Sequence, residues 1–167
     1  TEGRPAQIRP VNMTPFQGTL QIERLLPLPE TADLNDGRRV RNNLDCLIST
    51  RITLKAGDPT LYCETRLENR SSFHRLRVIF QSNLSSEKTW ADSPFDIIER
   101  PAAPPEEWKG ASRQSPLHSF CTVESEEQQG VALFSKGLHE YRLTNTETGT
   151  LALTLLRCVG HISRGGE

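Results

Sequence analysis

The chain has 167 residues, with 20 Lys and Arg against 21 Asp and Glu, and its formal net charge is −1 at pH 7. This length is typical of one domain, and the interspersed charges argue against a nucleic-acid partner or a polybasic membrane surface. No apolar run is long enough to span a membrane, and the N-terminal stretch TEGRPAQIRP has no apolar signal-peptide core. We therefore predict one domain over residues 1–167 that is cytoplasmic and binds neither nucleic acid nor membrane.

Alternation of apolar and polar residues predicts short β-strands along most of the chain. The first such segments are GTLQIERLL, LISTRITLKA and TLYCETRLEN. In the third segment the alternation directs Leu61 and Cys63 inward. The stretch KAGDPT supplies the turn residues Gly57, Asp58 and Pro59, so the second and third segments are expected to form an antiparallel hairpin.

Later segments continue the same pattern. Strands are predicted at HRLRVIFQS, FDIIER, SFCTVES, GVALFS and HEYRLT, and the last strand, residues 150–157, is apolar on both faces. No long segment shows the apolar stripe of an amphipathic helix. About eight to ten short antiparallel strands favour an all-β fold in which two sheets pack face to face as a β-sandwich.

Two predicted loops are longer than a hairpin requires. Residues 27–43 are polar, and residues 100–116 are rich in Pro, with Trp108 isolated among charged residues. Long loops in a compact domain often carry function, and an aromatic side chain can stack on a sugar ring. An independent carbohydrate-binding module is therefore one hypothesis for the function.

The residues that could carry catalysis are scattered along the sequence. Asp92 and Asp96 flank the stretch SPF, but the sequence does not place them at the roughly 5–9 Å that glycosidic acid–base chemistry requires. The histidines, His74, His118, His139 and His161, lie far apart without metal-ligand spacing. The cysteines lack a C-x-x-C pair and are expected to be buried, reduced thiols: Cys46, Cys63, Cys121 and Cys158. We predict no catalytic residue and no metal ligand in this chain.

Three arginines are candidates for polar contacts, either with solvent or with a partner. Arg75 and Arg77 alternate with apolar residues and are expected on the solvent face of their strand. Arg157 ends a strand whose preceding residues are apolar on both faces, so its guanidinium is partly desolvated and needs acceptors. Its planar fork of donors suits a carboxylate or the vicinal hydroxyls of a sugar. The acceptor is therefore either an acidic neighbour or a substrate.

Five ordered blocks of the sequence resemble the C-terminal β-rich portion of bacterial glycoside hydrolase family 38 enzymes. The blocks are NRSSFHRLRVIF, DSPFDIIERP, QSPLHSFCTVES, GVALFSKGLHEYRL and LALTLLRCVGHISR. That family comprises α-mannosidases and the related mannosylglycerate hydrolases. The resemblance covers roughly residues 45–164 of this chain.

The resemblance implies a fragment of a bacterial glycosidase that hydrolyses α-mannosides with retention. It implies a galactose-mutarotase-like supersandwich that packs on the N-terminal catalytic and helical domains of the same polypeptide. Zn²⁺, or another divalent ion, and the nucleophilic aspartate would belong to that catalytic domain, so no cofactor is expected here. Arg157 best matches an arginine that reaches the α-mannoside substrate, and Arg164 and Glu140 are further candidate substrate-binding residues.

Two other expectations stay open. An aldose-mutarotase-like enzyme is a third hypothesis, for which His74 and Glu140 would form the catalytic pair. An apolar strip that other domains would cover in the parent enzyme could also drive self-association into a homo-oligomer.

Overall fold

The computed structural model describes residues 4–33, 38–103, 114–127 and 129–158. These residues form β-strands and no helix, which confirms the predicted all-β fold. None of them therefore belongs to a helix long and apolar enough to cross a membrane. The strands are β1 (Gln7–Thr14), β2 (Gln17–Pro29), β3 (Asn43–Lys55), β4 (Leu61–Leu67), β5 (His74–Gln81), β6 (Lys88–Ser93), β7 (Asp96–Pro101), β8 (Ser115–Pro116), β9 (Phe120–Glu124), β10 (Gly130–Phe134), β11 (Glu140–Asn145) and β12 (Thr150–Cys158).

Every predicted strand is present, and the sequence missed β1, β6 and β8. The count of about eight to ten strands was therefore too low for the described residues. β1 carries Pro10 and is exposed at every position, so it shows no alternation between a buried and an exposed face. β8 has only two residues, which is too short for any periodic pattern to appear.

The chain divides into two compact units, and the first of them contains β1 to β4. These strands form one sheet in the order β1-β2-β3-β4, and each neighbouring pair is antiparallel. The predicted β3–β4 hairpin is confirmed, and its turn holds Gly57 at a φ of 74°, a conformation that residues with a Cβ atom rarely adopt. The single domain over residues 1–167 stays a prediction.

One face of this first sheet is apolar and exposed. Leu20 pairs with Ile52, and Leu54 pairs with Leu61, so these side chains share a face. Leu61 was predicted to point into a core, but it is 54% exposed, and Cys63 on the same strand is exposed as well. The prediction of inward burial was wrong because alternation identifies a shared face but does not show what covers it.

The second unit spans residues 75–158 and contains two sheets. One sheet has the order β10-β9-β6-β7, and the other has the order β5-β12-β11-β8. The facing side chains of these two sheets form one buried cluster. It includes Cys121 and Val123 from β9, Tyr141 from β11 and Leu151 from β12. This packing confirms the predicted β-sandwich. The Tyr141 hydroxyl also shares a buried 2.8 Å hydrogen bond with Thr89 Oγ1 on the opposite sheet.

β12 is the strand predicted to be apolar on both faces, and its residues from Leu151 to Thr154 are all buried. The turn before it contains Gly149 at a φ of 51°. A Cβ atom at this glycine would overlap the carbonyl oxygen of Leu84 and the hydroxyl of Ser82. The turn therefore requires glycine for both its backbone conformation and its close packing.

Candidate functional site

Arg157 lies near the end of β12, where the buried part of the strand gives way to solvent. Its side chain is 55% exposed, and its Nη1 lies 3.7 Å from Oε2 of Glu140. The sequence left open whether Arg157 has an acidic neighbour, and the structure identifies Glu140 as that neighbour. Two of the three predicted substrate-binding residues therefore lie together. Arg164, the third, lies outside the described residues, as does Trp108.

Glu140 is the first residue of β11, and its carboxylate is held from two further directions. Thr154 Oγ1 donates a 2.7 Å hydrogen bond to Glu140 Oε1, and Arg75 Nε lies 3.4 Å from the same oxygen. The Glu140 side chain is only 22% exposed, so these contacts are partly shielded from water. Glu140 thus has a fixed position from which it can orient the more exposed Arg157.

The sequence reasoning missed Thr154 and the role of Arg75. Thr154 is a buried polar residue in an otherwise apolar stretch of β12, and that exception was visible in the sequence. Arg75 was correctly expected on the outer face of β5, since Val78 and Phe80 pack against the core. Its pairing with Glu140 depends on strand order, which the alternation of residues does not encode.

The chemistry of this cluster is hydrogen-bond donation and charge. Arg157 keeps donors that point away from Glu140, because one guanidinium carries five N–H groups. Such a planar donor can hold two vicinal hydroxyls of a sugar or the two oxygens of an oxyanion. The cluster is therefore suited to binding such a group and fixing its orientation.

The Asp92 carboxylate is engaged in hydrogen bonds to the segment that leads into β9. Asp92 accepts hydrogen bonds from the backbone N–H groups of His118, Ser119 and Phe120 and from the Ser119 hydroxyl. Burial raises the pKa of the Asp92 carboxyl, but these hydrogen bonds outweigh it and hold the pKa well below its usual value. Asp92 therefore ties the end of β6 to the start of β9 and stays ionised.

The described histidines do not assemble a metal centre. His118 and His139 stack with their ring centroids 6.3 Å apart, and His74 is buried with Nδ1 3.5 Å from the carbonyl oxygen of Ser72. Among the described residues, no group of three His, Cys, Asp or Glu side chains could hold a metal ion. The mutarotase hypothesis, which pairs His74 with Glu140, stays a hypothesis.

The cysteines differ in their exposure. Cys46 and Cys121 are buried, whereas Cys63 is exposed, contrary to the expectation of burial. Burial, with the nearby Asp92 charge, raises the pKa of the Cys121 thiol to about 12. Cys121 is therefore not a thiolate near neutral pH.

A polar cleft of about 480 Å³ lies on the first unit, and its lining includes Arg51, Tyr62 and Glu64. The Tyr62 hydroxyl donates a 2.8 Å hydrogen bond to Asp58, and Lys55 Nζ lies 4.4 Å from the centre of the Tyr62 ring. The ammonium of Lys55 thus occupies one face of the ring. This arrangement leaves the aromatic ring less suited to stacking on a sugar.

Comparison with known proteins places these features in context. The model of the family described as "Glycosyl hydrolases family 38 C-terminal domain" matches residues 13–161. A curated relative, the "Putative mannosylglycerate hydrolase" of Halalkalibacterium halodurans, is 27% identical over 180 aligned residues, which cover 99% of this chain and 20% of that protein.

Solved structures agree with this match. An alpha-mannosidase from Enterococcus faecalis has a TM-score of 0.86 and 28% identity over 96% of this chain and 20% of its own chain. A second Enterococcus faecalis structure, described as a protein in glycosyl hydrolase family 38, has a TM-score of 0.80 and 28% identity over 93% of this chain and 19% of its own. The chain therefore spans about one fifth of the length of these relatives.

Proposed function

Because the chain belongs to the family of glycosyl hydrolase family 38 C-terminal domains, we propose that it is a noncatalytic part of a larger α-mannosidase-like glycosidase. In this proposal it packs on the catalytic and helical domains of the same polypeptide. It also supplies Arg157 to the α-mannoside substrate. The names of the relatives support the substrate class, since they are an alpha-mannosidase and a putative mannosylglycerate hydrolase.

The observation that carries the substrate role is the position of Arg157. Its guanidinium is half exposed, and it is oriented by Glu140, which Thr154 and Arg75 hold in turn. An arginine oriented before the substrate arrives loses less conformational freedom when it donates hydrogen bonds to sugar hydroxyls. A hydrogen bond to a charged group contributes roughly 1.5–3 kcal/mol, which is about a tenfold to hundredfold effect on kcat/KM if it forms in the transition state.

The exposed apolar face of the first sheet supports the packing role. Leu20, Leu54 and Leu61 share this face, and Ile8 and Met13 on the neighbouring β1 are also exposed. Exposed apolar patches of this kind usually mark an interaction surface. We assign it to the other domains of the same polypeptide, and a homo-oligomer would be the alternative occupant.

The hydrolytic chemistry belongs in this proposal to the remainder of the enzyme. A carboxylate nucleophile there would form the glycosyl intermediate of a retaining reaction, and Zn²⁺ or a similar ion would orient sugar hydroxyls. The described part of this chain would bind and orient substrate. A bacterial cytoplasmic location completes the proposal, and it is supported by Cys46, Cys63 and Cys121, which form no disulfide.

Hydrolysis of an aryl α-mannoside with added Zn²⁺ tests this division of labour. The 167-residue chain alone should show no cleavage above background, whereas the full-length polypeptide should cleave the substrate. Cleavage by the chain alone would contradict the noncatalytic role. Saturable binding of methyl α-mannoside by the chain alone would favour the independent carbohydrate-binding module.

A further inference from the structure

The outer face of the sheet β5-β12-β11-β8 carries an excess of positive charge around one carboxylate. Arg75 Nε lies 3.4 Å and Arg157 Nη1 lies 3.7 Å from oxygens of Glu140. Arg77 and Arg142 lie near this pair, since the charges of Arg75, Glu140 and Arg142 all influence the pKa of Arg77. Arg75 and Arg157 thus approach Glu140 directly, and Arg77 and Arg142 add further positive charge, which the single charge of Glu140 does not balance.

These side chains share one face because of strand alternation. Tyr141 and Leu143 of β11 point into the core, so Glu140 and Arg142 point outward. Val78 on β5 packs against the same core, which places Arg75 and Arg77 on the outer face. β12 lies between β5 and β11 in the sheet.

The middle of β12 presents small side chains on this outer face. Ala152 and Thr154 alternate with the core residues Leu151 and Leu153. Both small side chains are buried, so other atoms cover this part of the face. The arginines of the two flanking strands, β5 and β11, lie on either side of them.

Two of the arginines are incompletely satisfied. The Nε atoms of Arg77 and Arg142 are buried and have no hydrogen-bond partner among the described residues. Arg77 Nη2 donates a 2.9 Å hydrogen bond to Gln114 Oε1, which is a neutral acceptor. Burial, with the charge of Arg75, lowers the pKa of Arg77, and Glu140 only partly offsets this effect. A partly buried guanidinium with an unpaired N–H group carries a desolvation cost that an anion would relieve.

We propose that Arg75, Arg77 and Arg142 form a binding site for an oxyanion, either a carboxylate or a phosphate group, on the outer face of this sheet. Planar guanidinium groups bind both kinds of oxyanion through paired N–H···O bonds. A neutral sugar would not require this surplus of charge. The site therefore goes beyond the proposed mannoside contact and stands whether or not Arg157 touches a sugar.

NMR spectroscopy of the arginine Nε–Hε groups of the 167-residue chain tests the proposal. The chain is titrated with sodium phosphate and, separately, with sodium acetate, while NaCl keeps the ionic strength constant. The Arg77 and Arg142 resonances should shift saturably with at least one of the two anions. Arg70, an exposed arginine paired with Glu68 in the first unit, is the internal control and should not respond.

Variants with opposite expected effects make the test decisive. Arg77→Gln and Arg142→Gln should each weaken binding by about tenfold or more, since each removes a charge-assisted hydrogen-bond donor. Glu140→Gln should tighten binding, because it removes a carboxylate that competes with the anion for the arginines. This last change does not depend on whether the arginine variants fold normally.

The outcomes separate the sources of the anion. Binding of phosphate alone identifies a phosphate site, binding of acetate alone identifies a carboxylate site, and binding of both identifies a general oxyanion site. The proposal is overturned if neither anion gives a saturable shift, if Arg70 responds equally, or if Glu140→Gln weakens binding.

Discussion

Thr154 and Glu140 meet across neighbouring strands, where Thr154 Oγ1 donates a 2.7 Å hydrogen bond to Glu140 Oε1. Thr154 is buried, so this bond is protected from competing water. It fixes a carboxylate that also approaches Arg75 and Arg157. Thr154, inside the apolar strand β12, thus fixes the position of the carboxylate with which Arg75 and Arg157 pair.

Thr154→Val tests this anchor. The change keeps the side-chain shape but removes the hydrogen bond to an ionised group, so the free energy of unfolding should fall by about 1.5–3 kcal/mol in urea denaturation. Thr122→Val is the matched control, because Thr122 Oγ1 donates an exposed 3.3 Å bond to Glu124. The control should cost less than about 0.5 kcal/mol. Equal costs for the two variants would show that Thr154 does not anchor Glu140.

Asp92→Asn should destabilise the fold by about 1.5–3 kcal/mol at pH 7, since it removes the charged acceptor of several hydrogen bonds. The pKa of Asp92 is lower in the folded state than the value of 3.8 in the unfolded chain. The ionised carboxylate therefore stabilises the fold fully at pH values above 3.8. This stabilisation is lost as the pH falls from 3.8 through the pKa of the folded state.

Denaturation of Asp92→Asn and the original chain between pH 2 and pH 7 measures this pH dependence. The difference in free energy of unfolding should be constant above about pH 5 and should shrink steadily below about pH 4. Asp96→Asn is the control, because Asp96 accepts an exposed hydrogen bond from its neighbour Ile97. A difference that stays constant down to pH 2 would mean that Asp92 contributes by packing alone.

Gly149→Ala should be more costly than the same change at Gly137. Both glycines have positive φ, 51° and 77°, but only Gly149 faces close neighbours, the carbonyl of Leu84 and the hydroxyl of Ser82. Gly137→Ala should cost about 1–2 kcal/mol for the backbone conformation alone. Gly149→Ala should cost about 1–3 kcal/mol more, because the added methyl group overlaps its neighbours. Thermal denaturation of both variants measures the two losses of stability. Similar losses would show that the close neighbours of Gly149 do not add to the cost.

The hydrogen bond between Thr89 and Tyr141 joins the two sheets of the second unit, and its contribution is measurable by a double-mutant cycle. Thr89→Val and Tyr141→Phe should each destabilise the fold, because each leaves a buried hydroxyl without its partner. The double variant should cost less than the sum of the two, with a coupling of about 0.5–3 kcal/mol. Strict additivity would show that the 2.8 Å contact contributes nothing to stability.

The sequence predicted most of the strands because alternation is a local property. Ile48, Ile52 and Leu54 marked β3, and the run that is apolar on both faces marked β12. β1 was missed because an exposed strand that contains Pro10 has no buried face to create alternation. The exposure of Leu61 could not be foreseen for a different reason, since burial depends on what packs against a face.

The candidate site was only partly predictable. Arg157 could be identified from its place at the end of an apolar strand, but its acceptor could not. Glu140 is separated from Thr154 by 14 positions in the sequence, and its separation from Arg75 is larger still. Contacts between such distant positions are set by strand order and register, which local patterns do not specify.

The most direct test of the proposed substrate role measures kcat/KM for an aryl α-mannoside with the full-length polypeptide. The comparison includes Arg157→Ala, Arg157→Lys and Arg66→Ala, where Arg66 is an exposed arginine paired with Glu64 in the first unit. Arg157→Ala should lower kcat/KM by about tenfold to hundredfold, Arg157→Lys should restore only part of the loss because it lacks the planar fork, and Arg66→Ala should match the unaltered enzyme. Unchanged kcat/KM in Arg157→Ala would contradict the account, since Arg157 would then serve only as a surface partner of Glu140.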